Sequence, residues 1–407
     1  MQQYLTEPLK ANQLLEKLPE NFTGERRANS QRLFLGALRY GHQIQAAIAS
    51  LAKKRIKTNV RSILLVTGYE LLASNEEKRA PIIHCAVEQS KRLVHPSTIG
   101  FINAVLRKLP QALAEAQECE DKAVRFSHPD WMIEHWKHEL TEADLVGLLA
   151  WNQQLPKSYV KHYSGKSEAF AGTKSTVWPQ FYEIKPEANW KTEILPLLGR
   201  DAFIKDPSTR LAPSLLAPQR GETILDLCAA PGGKSFDLAH EMEMDGRIVA
   251  VDLAGSRINR LRENLERLQT DKLKTTIFEA DVLQLNPQDF EAADLPTSYD
   301  AVMLDAPCSN TGVIQRRTDV KWRLDSTDIQ ACAHLQKQLL EVAATFVRPG
   351  GRIVYSTCSI EKAENLEVVD HFLGSSVGSS FSLKDRSISL PWRTHHDGAA
   401  AFLLIRS

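Results

Sequence analysis

Hydrophobic residues in the first quarter of the chain recur at helical spacing. In the segments 30–52 and 60–74, apolar side chains return every three or four positions, and glycine and proline are scarce. The segment 99–110 repeats the pattern, and Pro110 is expected to end it. Turn-forming residues separate these runs, as at 75–81. The pattern predicts a small bundle of helices.

The pattern changes near Thr223, where short runs with almost continuous hydrophobicity begin to alternate with helical segments. Such runs are typical of parallel strands that are buried on both faces. The predicted strands are TILDLC (223–228), RIVAVD (247–252), TTIFEA (275–280), YDAVMLD (299–305) and GRIVYST (351–357). We therefore expect a Rossmann-like, doubly wound α/β fold, with its ligand crevice at the carboxyl ends of the strands.

A chain of 407 residues is long enough for two or three domains. We expect a helical domain over 1–125, a small α+β linker domain over 126–204 and the α/β domain over 205–407. The linker region mixes short helices with strand-like runs such as SYVKHY (158–163). Neither a membrane-length apolar run nor a secretion signal is visible, so a cytoplasmic location is expected.

Charge becomes informative only through its distribution. The 50 basic residues balance the 50 acidic ones, so the net charge favours no class of partner. One stretch, 26–61, contains no Asp or Glu and nine basic residues: Arg26, Arg27, Arg32, Arg39, Lys53, Lys54, Arg55, Lys57 and Arg61. Such a stretch can bind the phosphates of a nucleic acid, or it can simply form solvated helix faces. Both interpretations stay open.

The segment DLCAAPGGKS (226–235) resembles a phosphate-binding P-loop at all but one position. The first glycine of G-x-x-x-x-G-K-[ST] is replaced by Cys228, although the strand that ends in Asp305 would suit a P-loop enzyme. Pro231 argues against phosphate binding, because a P-loop turns consecutive backbone N–H groups onto the phosphates and proline has none.

Two acids after the next strands favour a different ligand. Asp252 follows the glycine-containing loop by about 20 residues, where a carboxylate accepts hydrogen bonds from ribose hydroxyls. Asp281 follows the third strand and supplies another polar group at the same edge. The arrangement suits an adenosine without a triphosphate, and S-adenosylmethionine fits that description.

Two of the six cysteines follow predicted strands directly. Cys308 lies in DAPCSNTG (305–312) and Cys358 in YSTCS (355–359), so both are expected at the edge where the cofactor would bind. The cysteines in helical runs, Cys85, Cys119 and Cys332, are expected to serve in packing. No pair has the spacing of a zinc site, so no metal site is expected.

Cys358 also precedes a predicted helix. Ser359 is expected to cap that helix, whose N-terminal dipole would favour a thiolate at Cys358. A thiolate that faces a methyl donor indicates nucleophilic catalysis on an unreactive ring, and carbon 5 of cytosine is such a target. A second thiol nearby could then help to eliminate the first.

Taken in order, DLCAAPGGK, DAPCSNTGV and YSTCS resemble the motifs of the RNA cytosine-5 methyltransferases of the Sun/Nop2 group. In the helical region, AVEQSKRL (86–93) and GFINAVLRKL (100–109) resemble the NusB-type RNA-binding fold. This combination is similar to the Sun/Fmu (RsmB-type) family of bacterial 16S ribosomal RNA cytosine-5 methyltransferases, over nearly the whole chain.

The resemblance implies a role for each motif. It implies that Cys358 adds to carbon 6 of cytosine, that Cys308 promotes elimination, and that Asp305 hydrogen-bonds the ring near N3. It also implies that S-adenosylmethionine is held by Cys228, Ala229, Ala230, Pro231, Gly232, Gly233, Lys234, Asp252, Asp281 and Asp305. The implied partner is ribosomal RNA with a single-stranded or flipped cytosine. A monomer is expected.

The sequence departs from the family pattern near the expected RNA contacts. KDPSTR (205–210) stands where the family has Gln-Asp-x-Ser-Ser/Ala-Gln, and Arg317-Thr318 replaces His-Pro. Phosphate contacts are expected from the basic stretch and from Arg316, Arg317, Lys321 and Arg323. The target cytosine stays open. Two other interpretations also remain, a P-loop-type RNA-dependent ATPase and a non-catalytic RNA-binding assembly factor.

Overall fold

The computed structural model describes residues 1–7, 10–19, 21–52, 55–163 and 169–407. These residues form two compact units, one of 1–155 with 314–326 and the other of 156–313 with 327–407. The division into three domains at 125 and 204 stays a prediction. In the described part of the chain, no helix combines the length and the apolar composition that a membrane span requires.

The first unit is helical, as the hydrophobic repeat predicts. Its core is built from side chains that are fully buried, including Ile44, Leu64 and Leu106. Its helices are Gln2–Thr6, Ala11–Glu16, Gly24–Arg39, Gly41–Leu51, Thr58–Leu72, Glu76–Ser90, Ile99–Gln117, Lys122–Arg125, Asp130–Lys137, Glu142–Gln153 and Val320–Arg323.

Two helix boundaries in this unit differ from the prediction. Pro110 lies inside the helix Ile99–Gln117 instead of ending it. Leu113 and Ala116 beyond the proline are buried in the core, and their packing outweighs one lost backbone hydrogen bond. The expected turn at 75–81 is instead the start of helix Glu76–Ser90, whose first turn carries two acids that interact favourably with the helix dipole.

A small antiparallel sheet opens the second unit. Its strands are β1 (Tyr159–His162), β2 (Thr173–Ser175), β3 (Phe181–Ile184) and β4 (Ala202–Ile204), in the order β2-β3-β1-β4. The strand β1 was predicted from SYVKHY.

A seven-stranded sheet forms the centre of this unit, and it confirms the Rossmann-like fold. Its strands are β5 (Thr223–Leu227), β6 (Gly246–Asp252), β7 (Leu273–Glu279), β8 (Tyr299–Asp305), β9 (Val347–Thr357), β10 (Phe381–Ser389) and β11 (Ala399–Arg406). The order is β10-β11-β9-β8-β5-β6-β7, and the five strands from β9 to β7 are parallel. The antiparallel strands β10 and β11 were not predicted.

The four inner parallel strands, β5, β6, β8 and β9, are largely buried on both faces, whereas β7 at the edge of the sheet is only partly buried. Leu225 and Val302 pack in one core and their chain neighbours Ile224 and Ala301 pack in the other, because successive side chains point to opposite faces of a sheet. The helices of this unit are Leu211–Leu216, Gly233–Glu241, Ser256–Glu266, Pro287–Ala292, Ser326–Thr345, Leu366–Leu373 and Pro391–Thr394. The chain changes direction between β5 and β8, and a doubly wound sheet binds its ligand at the carboxyl ends beside such a switch.

Candidate active site

The loop after β5 has a sharply curved backbone. Cys228 lies in the left-handed region with φ 58°, and Gly232 has φ 99°. A Cβ atom at Gly232 would lie 3.0 Å from Cδ1 of Leu261, so both the conformation and the space favour glycine there. The helix Gly233–Glu241 begins directly after this turn.

Backbone N–H groups in the first part of this loop are used within the protein. Three of them are bonded: Ala229 N–H to the Val251 carbonyl (3.0 Å), Ala230 N–H to Oδ2 of Asp252 (2.8 Å) and Gly232 N–H to the Ala229 carbonyl (2.7 Å). Pro231 has no N–H to give. A P-loop needs such groups to point at phosphates, so the geometry argues against the ATPase interpretation.

Three carboxylates surround the start of the loop, and we call Asp226, Asp252 and Asp305 the acidic cradle. Burial raises the pKa of the Cys228 thiol, and the negative charges of these three carboxylates raise it further. Burial also raises the pKa of Asp226 to about 7. Its Oδ2 accepts a hydrogen bond from Ser235 (2.5 Å), while its buried Oδ1 has no partner among the described residues. Asp252 also pairs with Arg257 at 3.4 Å, so part of the negative charge is balanced, but carboxylates at this position still suit a cation better than a triphosphate.

The two acids expected at the ribose differ in exposure. Asp252 is buried at the end of β6, and its Oδ1 accepts the N–H of Leu253 at 2.8 Å. Asp281 is exposed, and its Oδ1 accepts the N–H of Leu283 at 3.0 Å, so it caps a short 3₁₀ turn. Asp252 is thus part of the cradle wall, whereas Asp281 lies in contact with solvent.

Lys234 and Asp305 form an ion pair across the site. The Lys234 Nζ lies 2.6 Å from Oδ2 of Asp305, whose Oδ1 accepts a hydrogen bond from Ser356 (3.0 Å). Burial alone would lower the pKa of Lys234, but Asp305 and, to a smaller extent, Cys358 raise it above its ordinary value. Lys234 is therefore a permanent cation near Cys358, and a cation beside a sulfur favours the thiolate.

The two predicted cysteines meet at the end of the sheet. The register of β8 and β9 pairs Asp305 with Ser356, which brings the loops that follow these strands together. The Sγ atoms of Cys308 and Cys358 are 3.2 Å apart, and Oδ1 of Asn310 lies 3.4 Å from Sγ of Cys358. The hydrogen bond with Cys358, together with burial, raises the pKa of Cys308 well above its ordinary value. Cys308 is therefore the thiol of the pair that keeps its proton.

The expected helix cap at Ser359 is wrong. The helix begins at Leu366, after a 3₁₀ turn at Lys362–Glu364, and Ser359 does not cap it. The Ser359 hydroxyl instead accepts the N–H of Glu361 (3.1 Å) and donates to the carboxylate of Glu364 (2.7 Å). The helix that follows Cys358 therefore does not begin at Ser359, and a positive charge acts on Cys358 from Lys234.

Two of the expected RNA-binding residues are structural. Lys321 is only 1% exposed, and its ammonium donates to the carbonyls of Arg39 (2.8 Å) and Ser127 (2.5 Å). Burial lowers the pKa of Lys321 well below its ordinary value. Arg39 is also buried, with its guanidinium on the carbonyls of Gln154 and Gln315. Neither side chain can reach a phosphate, because carbonyls in the first unit already hold both.

The other basic residues divide by exposure. Arg26, Arg32, Arg55, Lys57 and Arg317 are exposed. Arg27, Arg61, Arg316 and Arg323 are partly buried, and Arg323 pairs with Asp319 at 2.7 Å. Lys53 and Lys54 lie outside the described residues. A phosphate-binding role therefore stays a prediction for the exposed members alone.

All six cysteines are free thiols. Cys85 is exposed on the helix Glu76–Ser90, so a packing role for it is wrong, since that position faces away from the core. Cys119 and Cys332 are partly buried.

Sequence reasoning missed the polar residues that support the site. Lys205 stands where the family pattern has Gln, and its ammonium donates to Oδ2 of Asp237 (2.7 Å) and to the carbonyl of Gly233 (2.6 Å). Lys161 on β1 binds the other oxygen of Asp237 at 2.7 Å. The departure at Lys205 could have signalled a buried partner, but nothing in one sequence marks Asp237 as that partner.

Other missed residues join the two cysteine loops. Glu364 and Asn365 lie shortly after Cys358 in the chain. The Glu364 side chain bonds to residues of both loops. The Asn365 side chain bonds to the two neighbours of Cys358. No spacing rule relates these residues to Ser309, which lies 55 positions from Glu364.

Comparison with known proteins identifies both halves of the chain. Residues 213–387 match the family model for 16S rRNA methyltransferase RsmB/F, and residues 2–111 match the NusB family model. The ribosomal RNA small subunit methyltransferase B of Proteus mirabilis is 31% identical over 92% of this chain and 89% of its own length. The protein of the same name from Vibrio cholerae is 33% identical over 84% of this chain and 80% of its own.

Solved structures agree on the fold. The crystal structure of PH0851 has a TM-score of 0.78 at 23% identity and covers 99% of this chain and 96% of its own. A methyltransferase homolog from Pyrococcus horikoshii has a TM-score of 0.57 at 24% identity, over 70% of this chain and 98% of its own. With sequence relatives above 30% identity over most of its length, the chain belongs to the RsmB/F family of 16S ribosomal RNA methyltransferases.

Proposed function

We propose that this chain methylates carbon 5 of a cytosine in 16S ribosomal RNA through a covalent bond between Cys358 and carbon 6. Family membership makes the chain an S-adenosylmethionine-dependent ribosomal RNA methyltransferase; the proposal adds the target atom and the covalent route. One observation carries it, the 3.2 Å approach of the Cys308 and Cys358 sulfurs beside the Lys234–Asp305 ion pair. The substrate implies a cytoplasmic location.

The acidic cradle supports the choice of methyl donor. When it is bound, S-adenosylmethionine supplies the methyl group from a positively charged sulfonium. The carboxylates of Asp226, Asp252 and Asp305, whose charges act together on Cys228, favour such a cation. The loop 228–234 and Asp252 would hold the adenosine part, and Asp281 would contact it from the solvent side.

Cys358 starts the reaction on the base. Its thiol gives its proton to water, and the sulfur forms a bond to carbon 6 while the electron pair of the 5,6 double bond moves toward carbon 5. Carbon 5 is then able to accept the methyl group. The ammonium of Lys234 favours the ionised sulfur, and Asp305, which pairs with Lys234, would hydrogen-bond the ring near N3.

Cys308 completes the reaction by removing the remaining hydrogen from carbon 5. Two causes of its high pKa, the hydrogen bond with Cys358 and the charge of Cys358, disappear when Cys358 is bonded to carbon. The pKa of Cys308 therefore falls in the adduct, and its sulfur can release a proton to water and take the carbon 5 proton. The electron pair restores the 5,6 double bond, and the bond to Cys358 breaks. Cys358 leaves as a thiolate and takes a proton back from water, so that one proton has been released overall.

The experiment is incubation of the protein with methyl-labelled S-adenosylmethionine and total ribosomal RNA, followed by mapping of 5-methylcytosine. The expected result is label in 5-methylcytosine of the small-subunit RNA, and none with Cys358→Ser. Label on another atom or base would refute the proposal. ATP turnover without label would favour the ATPase, and RNA binding without either activity would favour the assembly factor.

A further inference from the structure

Glu364 is a buried carboxylate that the proposed chemistry does not use. It is 0% exposed, and its two oxygens accept hydrogen bonds from three side chains and one backbone N–H. Its Oε2 accepts the N–H of Ser309 (2.9 Å) and Nε2 of Gln336 (2.9 Å), while its Oε1 accepts the hydroxyls of Ser309 and of Ser359 (2.7 Å). Ser309 follows Cys308 in the chain and Ser359 follows Cys358. One carboxylate therefore holds the residues next to both sulfurs.

Asn365, the next residue, holds only one of the two loops. Its Oδ1 accepts a hydrogen bond from Thr357 (2.7 Å), and its Nδ2 donates to the carbonyl of Ser359 (3.0 Å). These two residues flank Cys358. The Cys358 loop thus has its own support. The two loops also meet directly, through the hydroxyls of Ser309 and Ser359 (3.2 Å) and of Thr311 and Ser359 (3.1 Å). The Glu364 carboxylate adds bonds to the N–H of Ser309 beside Cys308 and to the Ser359 hydroxyl beside Cys358.

We propose that Glu364 is a positioning residue that keeps the Cys308 sulfur beside Cys358, so that the adduct is released after methyl transfer. The proposal rests on the proposed function and adds to it the group that couples the two thiols. Gln336 supports the same loop from the other side, since its Nε2 also donates to the carbonyl of Pro307 at 2.8 Å. The two loops also share a backbone hydrogen bond, from the N–H of Gly312 to the carbonyl of Cys358 (3.1 Å). This bond does not involve Glu364, so the loops should stay joined when Glu364 is changed.

Two substitutions separate the reach of Glu364 from its charge. The side chain of Glu364→Gln has the same length: its amide oxygen can accept the two N–H donors, and its NH₂ can donate to the two hydroxyls, which also act as acceptors. The side chain of Glu364→Asp keeps the charge but is shorter by one C–C bond, about 1.5 Å, so it cannot hold both loops. A positioning role therefore predicts that Glu364→Gln works and that Glu364→Asp does not. A role through charge, which is one cause of the high pKa of Cys308, predicts the reverse.

The test follows the covalent adduct in a single turnover, with end-labelled RNA, S-adenosylmethionine and full-length protein on a denaturing gel. We expect Glu364→Asp to form the adduct and to release it about tenfold more slowly than the unchanged protein. A positioned acid–base group typically contributes ~10² to 10⁴-fold to a rate, and a displaced Cys308 should lose only a part of that contribution. Glu364→Gln should release it within about twofold of the unchanged protein. Asn365→Ala should instead slow adduct formation, without accumulation, because it loosens the nucleophile.

Matched controls make each outcome decisive. Glu367→Asp makes the same change on an exposed carboxylate three residues away and should behave as the unchanged protein. Thermal unfolding and S-adenosylmethionine binding check that each variant folds. If Glu364→Asp does not fold, Ser309→Ala, which removes one hydroxyl from the carboxylate, should still slow release.

Three results would overturn the proposal: normal release by a folded Glu364→Asp, equal defects in the two Glu364 variants, or normal release by Ser309→Ala when Glu364→Asp does not fold. The Cys308→Ala protein, run alongside, separates this proposal from the proposed function. If that protein forms no adduct, the covalent mechanism is wrong; if it does and the Glu364 variants release normally, only the positioning role is wrong.

Discussion

The Sγ atoms of Cys308 and Cys358 lie 3.2 Å apart, at the ends of two neighbouring parallel strands. Two sulfurs this close cannot both be thiolates, because the second negative charge would be strongly disfavoured. The two sulfurs therefore have different roles: one is free to act as the nucleophile, and the other retains a proton. The high pKa of Cys308 makes Cys308 the proton-holding partner.

The rate of adduct release should depend on pH. In the adduct Cys308 no longer feels the hydrogen bond and charge of Cys358, but burial and the charge of Glu364 still hold its pKa above the ordinary value, so at neutral pH Cys308 is a thiol and release requires its thiolate. Release should therefore become faster as the pH rises toward that pKa, by up to about tenfold per unit for a single ionisation. The measurement is adduct decay in a single turnover across a series of pH values. In Cys308→Ala this dependence should be absent; the same slope in both proteins would exclude Cys308 as the base.

Asp305→Asn should block the addition step. The change removes the charge that pairs with Lys234 at 2.6 Å and the carboxylate expected near N3 of the base. Methyl transfer should fall by about 10²-fold or more. In a Cys308→Ala background, where the adduct should otherwise persist, Asp305→Asn should greatly reduce the adduct band. An undiminished band in the double variant would mean that Asp305 acts after addition or not at all.

Asp237→Asn should destabilise the second unit. Asp237 is buried between the ammonium groups of Lys161 and Lys205, each at 2.7 Å, and its removal leaves both cations without this partner. Loss of one partner of a buried ion pair typically costs about 3–5 kcal/mol. The free energy of unfolding, from urea titration, measures it. Lys174→Met, which breaks a surface ion pair at 3.1 Å, should change the free energy by less than about 1 kcal/mol. Similar losses in both variants would contradict the buried-pair explanation.

RNA binding should weaken with salt through the exposed basic residues only. Each phosphate contact that is lost should reduce the slope of log affinity against log salt by about 1. Replacing Arg26 and Arg32 by Gln should therefore flatten the slope, as both are exposed. Lys321→Met should lower the melting temperature and leave the slope unchanged, since Lys321 is bound to carbonyls inside the first unit. A slope that responds to Lys321 and not to the arginines would reverse this assignment.

Much of the fold follows from sequence periodicity because the buried elements are strongly patterned. Four of the five parallel strands are largely buried on both faces and have nearly continuous apolar sequences. The fifth, β7, is partly buried but rich in β-branched and aromatic residues, so all five were predictable. The strand β10 (Phe381–Ser389) was not, because most of its side chains are exposed and charged or small, as expected near an edge. At Pro110 the sequence predicted a helix end, but the helix continues to Gln117. Packing of the residues beyond Pro110 in the core outweighs the tendency of proline to end a helix.

The candidate site was predictable as far as its residues follow strand ends. Cys308, Cys358 and Asp305 satisfy that rule, and the sheet brings them together. The basic residues were predicted from charge alone, which does not reveal that Lys321 is buried. Glu364 was not predictable, because its bond to Ser309 joins positions 55 residues apart and depends on the folded loops.

The covalent step is tested most directly by comparing Cys308→Ala with Cys358→Ala on a denaturing gel, each incubated with S-adenosylmethionine and the RNA substrate. The Cys308 variant should show a retarded protein–RNA band, since addition proceeds and release fails. The Cys358 variant should show no band and no methylation. A band with Cys358→Ala and none with Cys308→Ala would exchange the two roles, and no band with either would contradict the covalent route.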